Sequence, residues 1–238
     1  MVSLTIDGKK VKAKEGMTIL EAALENGIQI PYLCYDKDLK PYGGCRLCMV
    51  EVTENGSTRL QPSCAFPVKD NILVETETAR LVSGRKLIVE LLLARCPNVD
   101  TVKNLALSFG VNRTRFTESD SDCILCGKCV RVCRDVVKAQ AIDFTGRGRG
   151  RYPRTPFDLP SEDCVGCGSC TYVCPTGAMK MEHEMFYAGG DFPDLYENAA
   201  ICAWDSSHTR SVRTTTNAGS VKWIKGWRIL QQPIPFLC

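Results

Sequence analysis

Four cysteines spaced C-x2-C-x2-C-x3-C occur twice in this chain. The first set is Cys123-Ile-Leu-Cys126-Gly-Lys-Cys129-Val-Arg-Val-Cys133 and the second Cys164-Val-Gly-Cys167-Gly-Ser-Cys170-Thr-Tyr-Val-Cys174-Pro175. No other pattern in the sequence restricts the fold as much. Three thiolates at this spacing wrap a 4Fe-4S cubane, while the fourth, on the helix that follows, reaches across to the other cluster. The expected ligand sets are therefore crossed. Cys123, Cys126, Cys129 and Cys174 hold one 4Fe-4S cluster, and Cys164, Cys167, Cys170 and Cys133 hold the second. A structural zinc site needs two pairs of ligands, not two duplicated quartets. The repeat marks residues 117–182 as an internally duplicated two-cluster domain.

A further group of thiols precedes it. Cys34, Cys45, Cys48 and Cys64 form a C-x10-C-x2-C-x15-C set, with Pro41, Gly43 and Gly44 in the first loop. The single C-x2-C pair with two outlying cysteines is close to the plant-type 2Fe-2S arrangement, although the first interval is longer. Cluster sulfur accepts hydrogen bonds from backbone N–H groups, and glycine lets the chain wrap that closely. Four thiolates also suit zinc, which stays open as the alternative on spacing alone.

Fifteen cysteines in 238 residues could instead mean a secreted disulfide scaffold. The start, MVSLTIDGKKVKAKEG, carries charges where a signal peptide needs an apolar stretch. The expectation is a cytoplasmic protein, in whose reducing surroundings clustered thiols act as metal ligands. The longest apolar run, around Leu87 to Ala94, is broken by Glu90 and too short for a transmembrane segment. Cys96, Cys202 and Cys238 stand apart from one another and read as small buried apolar side chains. His183 and His208 match no ligand spacing and read as ordinary surface or core histidines.

Between the motifs, turn and cap signals set out the elements. Val2–Ile6 and Lys10–Ala13 flank an Asp7-Gly8 turn, which predicts a hairpin. A helix follows, with Thr18 as cap, Glu21 completing the capping box and Gly27 as stop. Strands are expected at 48–53, at 58–60 after Asn55-Gly56, and at 72–75, giving a small mixed sheet packed on a helix. Apolar residues at helical spacing (Leu81, Leu87, Ile88, Leu91, Leu92) predict a helix over 77–94, and another runs over 100–109 to Gly110. The predicted class is α+β in four parts. They are a 2Fe-2S domain (1–77), a helical connector (78–116), a bacterial-type two-cluster 4Fe-4S ferredoxin domain (117–182) and a C-terminal extension (183–238).

The order of PYLCYDKDLKPYGGCRLCMVEV, PSCAFPV, the connector and the paired quartets resembles the N-terminal iron–sulfur region of the large iron–sulfur subunit of NADH:quinone oxidoreductase. It is similar also to the diaphorase iron–sulfur subunit of NAD-linked hydrogenases and formate dehydrogenases, over roughly residues 1–182. The resemblance implies a β-grasp fold for the 2Fe-2S domain and a flavin-bearing, NAD(H)-binding partner subunit. The family commonly has a further 4Fe-4S site in the connector, made by one histidine and three cysteines. Here LLLARCPNVDTVKNLALSFGV keeps only Cys96, and one ligand cannot hold a cubane. That site is expected to be lost.

No G-x-G-x-x-G opening a helix and no G-x4-G-K-[ST] occurs, so no nucleotide or flavin site is expected. The run Gly146-Arg-Gly-Arg-Gly-Arg-Tyr-Pro-Arg154 reads as an extended, solvated loop or a docking patch for an acidic redox partner, rather than a nucleic-acid site. The charge of +3, from 30 basic and 27 acidic residues, gives no whole-chain case for nucleic acid. The tail, with Trp204, Trp223, Trp227 and Ile-Pro-Phe-Leu-Cys238, suits packing on a partner subunit or on the chain's own ferredoxin domain.

No acid, base or nucleophile is nominated for catalysis. The expected role is that of an electron-transfer subunit with one 2Fe-2S and two 4Fe-4S clusters, relaying single electrons between a flavin-dependent NAD(H) subunit and a second redox enzyme or ferredoxin. A freestanding polyferredoxin, or a redox-sensing regulator, is the alternative.

Overall fold

The computed structural model describes residues 1–159 and 161–180, together with the backbone of 199–204, 210–215 and 221–223. The chain divides into two units, Met1–Gly127 and Lys128–Cys238.

The first unit is built on a five-stranded mixed sheet. Strands β1 (Val2–Ile6) and β2 (Lys9–Ala13) form a hairpin, as do β3 (Met49–Glu54) and β4 (Ser57–Pro62), and β5 (Leu73–Glu75) joins them in the order β2-β1-β5-β3-β4. The β1–β5 pair is parallel and the others are antiparallel. Both hairpin turns have positive φ at their two central residues, Asp7-Gly8 and Asn55-Gly56, the conformation that matches the right-handed twist of the strands. Asp7 also accepts from the Thr76 backbone N–H (2.8 Å) and hydroxyl (2.6 Å), which ties the first turn to the end of β5.

Helix α1 (Ile19–Glu25) covers one face of this sheet. Its Thr18 and Glu21 form a complete capping box, and the chain leaves it through Gly27 at φ +72°. Ile19, Leu20, Ala22 and Ala23 are buried against Leu4, Ile6, Val50, Val52 and Val74 in a single core. This is the β-grasp arrangement that the resemblance implies.

Two helices follow. Helix α2 (Ala79–Arg95) is capped by Thr78, α3 (Asp100–Ser108) ends near Gly110, and the two pack together. The apolar residues whose spacing predicts α2 do not all face the core: Leu81 is buried, and Ile88 and Leu92 are partly buried against apolar clusters. Leu87 and Leu91 are exposed, while Leu81, Arg85 and Val89 are buried. These last three recur every four residues and so share one face. Position 85 on that face carries a guanidinium, only 3% exposed. Its Nε donates to the Leu47 carbonyl (3.2 Å) and its Nη2 to the Met49 carbonyl (2.9 Å). Burial lowers its pKa, a shift opposed by the negative groups Glu77, Cys48 and Asp7. Arg85 thus pins the loop carrying Cys45 and Cys48 to the connector helix.

The second unit contains α4 (Lys128–Arg131), which continues as a π-helical turn over Val132–Val137, the hairpin β6 (Asp143–Thr145) and β7 (Tyr152–Arg154), and the short helix α5 (Ser169–Tyr172). Helices α4 and α5 pack against each other. The tail adds a meander of β8 (Ala199–Trp204), β9 (Arg210–Thr215) and β10 (Val221–Trp223), where the sequence shows no clear period. The expectations for Cys202, Cys238, the two histidines and the tail tryptophan side chains lie outside the described residues. Among the described residues no helix is long and apolar enough to cross a membrane.

Replacing Arg85 with methionine keeps the length of the side chain and removes two charge-assisted hydrogen bonds. A loss of about 2–3 kcal/mol is expected, read as a lower urea midpoint, while Arg80→Met at an exposed site leaves the midpoint nearly unchanged.

Candidate iron–sulfur sites

Cys34, Cys45, Cys48 and Cys64 come together at one edge of the β-grasp unit. Cys34 lies in the loop after α1, Cys45 and Cys48 flank the turn into β3, and Cys64 follows β4. Hydrogen bonds link their thiols: Cys45 and Cys64 donate to Cys34, and Cys64 also donates to Cys48. The acceptors Cys34 and Cys48 are pushed down by these bonds, against burial. The donors Cys45 and Cys64 are pushed up by the same bonds and by burial. The four thiols thus lie against one another, and a metal centre would bind them as thiolates.

Three features of the surrounding chain fit a cluster there. Backbone N–H groups of Gly44 and Cys45 act on the Cys34 sulfur, and that of Leu47 on Cys45. Gly44 lets the Tyr42 ring pack directly over the backbone, and a Cβ at that position would force the ring to move. The Ser63 hydroxyl is completely buried and makes no hydrogen bond. It faces the Cys48 sulfur, whose pKa it helps to lower. A buried hydroxyl is costly unless it donates, and sulfur is the acceptor this pocket supplies.

On its other side the set meets an apolar cluster of Cys96, Val99, Val102, Ile124 and Cys126, which also includes Cys34 and Cys45. Cys96 caps α2 with its backbone N–H on the Leu92 carbonyl (2.8 Å) and is completely buried. Burial pushes its thiol up to about 11.

The second quartet forms a different kind of site. Cys133, Cys164, Cys167 and Cys170 line one cavity of about 750 Å³. Cys133 comes from the π-helical turn after α4, and the other three from the loop entering α5. Burial pushes Cys133 up, and the nearby Cys167 and Cys164 add to this, against N–H groups of Ala141 and Ile142 that pull it down. Burial likewise takes Cys170 to about 11, with Cys167, Cys164 and Cys133 contributing.

The remaining four candidates divide between the units. In the first, Cys123 and Cys126 are buried, and the Leu125 N–H points at the Cys123 sulfur (3.4 Å). In the second, Cys129 packs with Val130, Ala141 and Ile142. Cys174 is pushed up by burial, but this is outweighed by N–H groups of Met179, Thr176 and Ala178 and by the Thr176 hydroxyl, so its pKa falls overall.

Both quartets follow the same local path. The residue before the second cysteine has positive φ in each (Leu125 +55°, Gly166 +61°), as does the residue after it (Gly127 +70°, Gly168 +68°). A short helix starts one residue before the third cysteine in both. No disulfide joins any of the described cysteines.

Comparisons with known proteins agree with this layout. Residues 1–79 match the 2Fe-2S iron-sulfur cluster binding domain, and residues 122–178 the 4Fe-4S dicluster domain. The chain is 34% identical over 174 residues to the NADH-ubiquinone oxidoreductase 75 kDa subunit of Reclinomonas americana, covering 63% of this chain and 25% of that protein. It is 33% identical over 174 residues to the mitochondrial NADH-ubiquinone oxidoreductase 78 kDa subunit of Neurospora crassa, covering 62% and 23%. Over about three-fifths of its length the chain is similar to these NADH-ubiquinone oxidoreductase subunits.

Another relative is the NADPH-Fe(3+) oxidoreductase subunit alpha of Geobacter sulfurreducens, 38% identical over 173 residues, with 62% of this chain and 20% of that protein covered. The chain thus spans about a fifth to a quarter of the length of these relatives. Among solved structures it superposes on a chain of an NAD+-reducing NiFe-hydrogenase in the H2-reduced state. The TM-score is 0.66 with 27% identity, over 79% of this chain and 90% of that one.

Sequence reasoning missed Ser63, Tyr42 and Arg85 as parts of the first site. Ser63 was the most accessible of these, since it directly precedes Cys64.

Gly44→Ala is expected to weaken the 2Fe-2S electron paramagnetic resonance signal by displacing the Tyr42 ring, and Tyr42→Ala in the same chain to restore it by removing the ring that the new methyl meets. Ser63→Ala is expected to keep the iron but lower the midpoint potential, because a lost hydrogen bond to sulfur destabilises the more negative reduced cluster. Redox titration followed by paramagnetic resonance reads that shift.

Proposed function

We propose that this chain is the electron-transfer subunit of an NAD(H)-linked oxidoreductase, holding one 2Fe-2S and two 4Fe-4S clusters. Cys34, Cys45, Cys48 and Cys64 would hold the 2Fe-2S cluster. Cys123, Cys126, Cys129 and Cys174 would hold the first 4Fe-4S cluster, and Cys133, Cys164, Cys167 and Cys170 the second. When bound, such clusters supply one-electron redox chemistry. The observation that carries the crossed assignment is the cavity in which Cys133, from the first quartet, stands with Cys164, Cys167 and Cys170 from the other.

The chain's own contribution is to bury sulfur and aim donors at it. Ser63 and the N–H groups of Gly44 and Cys45 do this at the first site, and those of Ala141 and Ile142 at Cys133. Hydrogen bonds and burial of this kind tune potential. The apolar cluster between Cys34 and Cys126 keeps water out of the space between the 2Fe-2S site and the first 4Fe-4S loop.

NADH gives up two electrons as a hydride, so a flavin has to divide the pair before a one-electron carrier can take them. A flavin-bearing NAD(H) subunit is accordingly the partner on one side, and a second redox enzyme the partner on the other. The resemblance to NADH-ubiquinone oxidoreductase subunits and to an NAD+-reducing hydrogenase supports this placement.

Anaerobic purification of the untagged protein is expected to bring down a flavin subunit; a stable lone chain would sink the proposal. Iron analysis is expected to give about ten irons per chain, and a third 4Fe-4S signal would contradict the three-cluster count. Cys174→Ser is expected to damage the cluster assigned to Cys123, Cys126 and Cys129. Loss of only the neighbouring cluster would overturn the crossing.

A further inference from the structure

The β6–β7 hairpin is not the extended loop that its glycines suggest. Gly146 has φ +70°, and a Cβ there would collide with the Gly150 carbonyl oxygen, so the chain folds back on itself through a 3-10 turn at Gly148–Gly150. Between Phe144 and Thr155 the sequence carries Arg147, Arg149, Arg151 and Arg154 and no carboxylate. All four arginines are exposed. Two are held in place by rings: Arg151 lies over Phe144 at 4.1 Å and Arg154 over Tyr152 at 5.6 Å.

The segment that follows is strained. Phe157 and Asp158 both adopt left-handed conformations, at φ +57° and +58°, which non-glycine residues hold only when the surrounding structure enforces it. Arg154 Nη1 donates to Asp158 Oδ2 at 2.7 Å and closes this turn. The turn leaves Phe157 92% exposed and Leu159 62% exposed. A strained turn that presents an aromatic ring to solvent gains nothing for the fold of this unit.

Position gives these features a common purpose. Tyr152, Arg154, Asp158 and Leu159 form part of the wall of the cavity that Cys133, Cys164, Cys167 and Cys170 line, and Cys164 is itself exposed. Apolar side chains beside several exposed arginines, next to a candidate redox centre, suit a transient electron-transfer contact. The charges steer an oppositely charged protein into place, and the small apolar area lets it leave again.

We propose that the face made by the β6–β7 hairpin and the Phe157 turn docks an acidic one-electron carrier protein at the second 4Fe-4S site. The carrier loses one electron per encounter and the site gains one, or the reverse. This rests on the assignment of Cys133, Cys164, Cys167 and Cys170 as a cluster site.

The test uses the full-length, cluster-loaded chain and a plant-type ferredoxin of strongly negative charge, with complex formation measured by calorimetry over a salt series. Arg147→Glu with Arg149→Glu is expected to weaken binding roughly tenfold or more at low salt and to flatten the salt dependence. Lys9→Glu with Lys10→Glu, on the exposed β2 edge, changes net charge equally and is expected to leave affinity close to that of the parent. Phe157→Ser is expected to weaken binding without altering the salt slope. Equal losses in the two charge-reversed proteins, or no binding by the parent at low salt, would overturn the proposal. So would preferential binding of single-stranded RNA by the same arginines. Iron content and paramagnetic resonance of each variant keep the two readings apart. An intact second cluster with no docking sinks only the docking face, whereas a missing second cluster in the parent sinks the site assignment.

Discussion

A buried thiolate has two ways to be stable: an adjacent cation, or hydrogen-bond donors aimed at the sulfur. Every candidate site in this chain supplies the donors from its own backbone. Gly44 and Cys45 serve Cys34, Ala141 and Ile142 serve Cys133, and Met179, Thr176 and Ala178 serve Cys174. Aiming a peptide N–H at a neighbouring sulfur often needs a backbone turn with positive φ. The repeated left-handed residues around Cys126 and Cys167 are the visible result. At Leu125 a branched side chain accepts that conformation, and its N–H lies 3.4 Å from the Cys123 sulfur.

The two units meet this demand with different materials. The first borrows rigidity from a sheet, with hairpin turns fixed by Asp7-Gly8 and Asn55-Gly56 and a capped helix across one face. Its cysteine loop is then braced from behind by Arg85 of the connector helix. The second has little sheet and few large apolar side chains among its described residues. Its order comes from two short helices packed together and from the cysteines themselves, several of which belong to its small core. Thiols that would hold the clusters also stand in for the aliphatic residues a unit of this size would otherwise bury.

Within the first unit the connector carries the packing beyond the sheet. Cys96 is fully buried among Val99, Val102 and Ile124, beside both Cys34 and Cys126. The same apolar cluster thus reaches from the 2Fe-2S candidate ligands to the first 4Fe-4S loop. The stretch similar to the curated relatives makes up a fifth to a quarter of their length.

Much of this was legible in the sequence, because turns, caps and cysteine spacing are local. Thr18 and Glu21 announce the start of α1, Asp7-Gly8 the first hairpin, and the cysteine spacings the two iron–sulfur domains. These signals depend on residues a few positions apart, whose geometry the backbone restricts directly. The apolar spacing announced α2 as a helix but not the burial of Arg85, because which face of a helix is buried depends on what lies opposite, and here Leu47 and Met49 offer carbonyls to a guanidinium. The hydroxyl of Ser63, the ring of Tyr42 behind Gly44 and the strained turn at Phe157 were equally hidden. The sequence by itself determined where the cysteines stand along the chain and most of the elements that carry them. Only the tertiary structure decided what surrounds each sulfur and which cysteines share a cavity, because partners far apart in the chain meet only when packing brings them together.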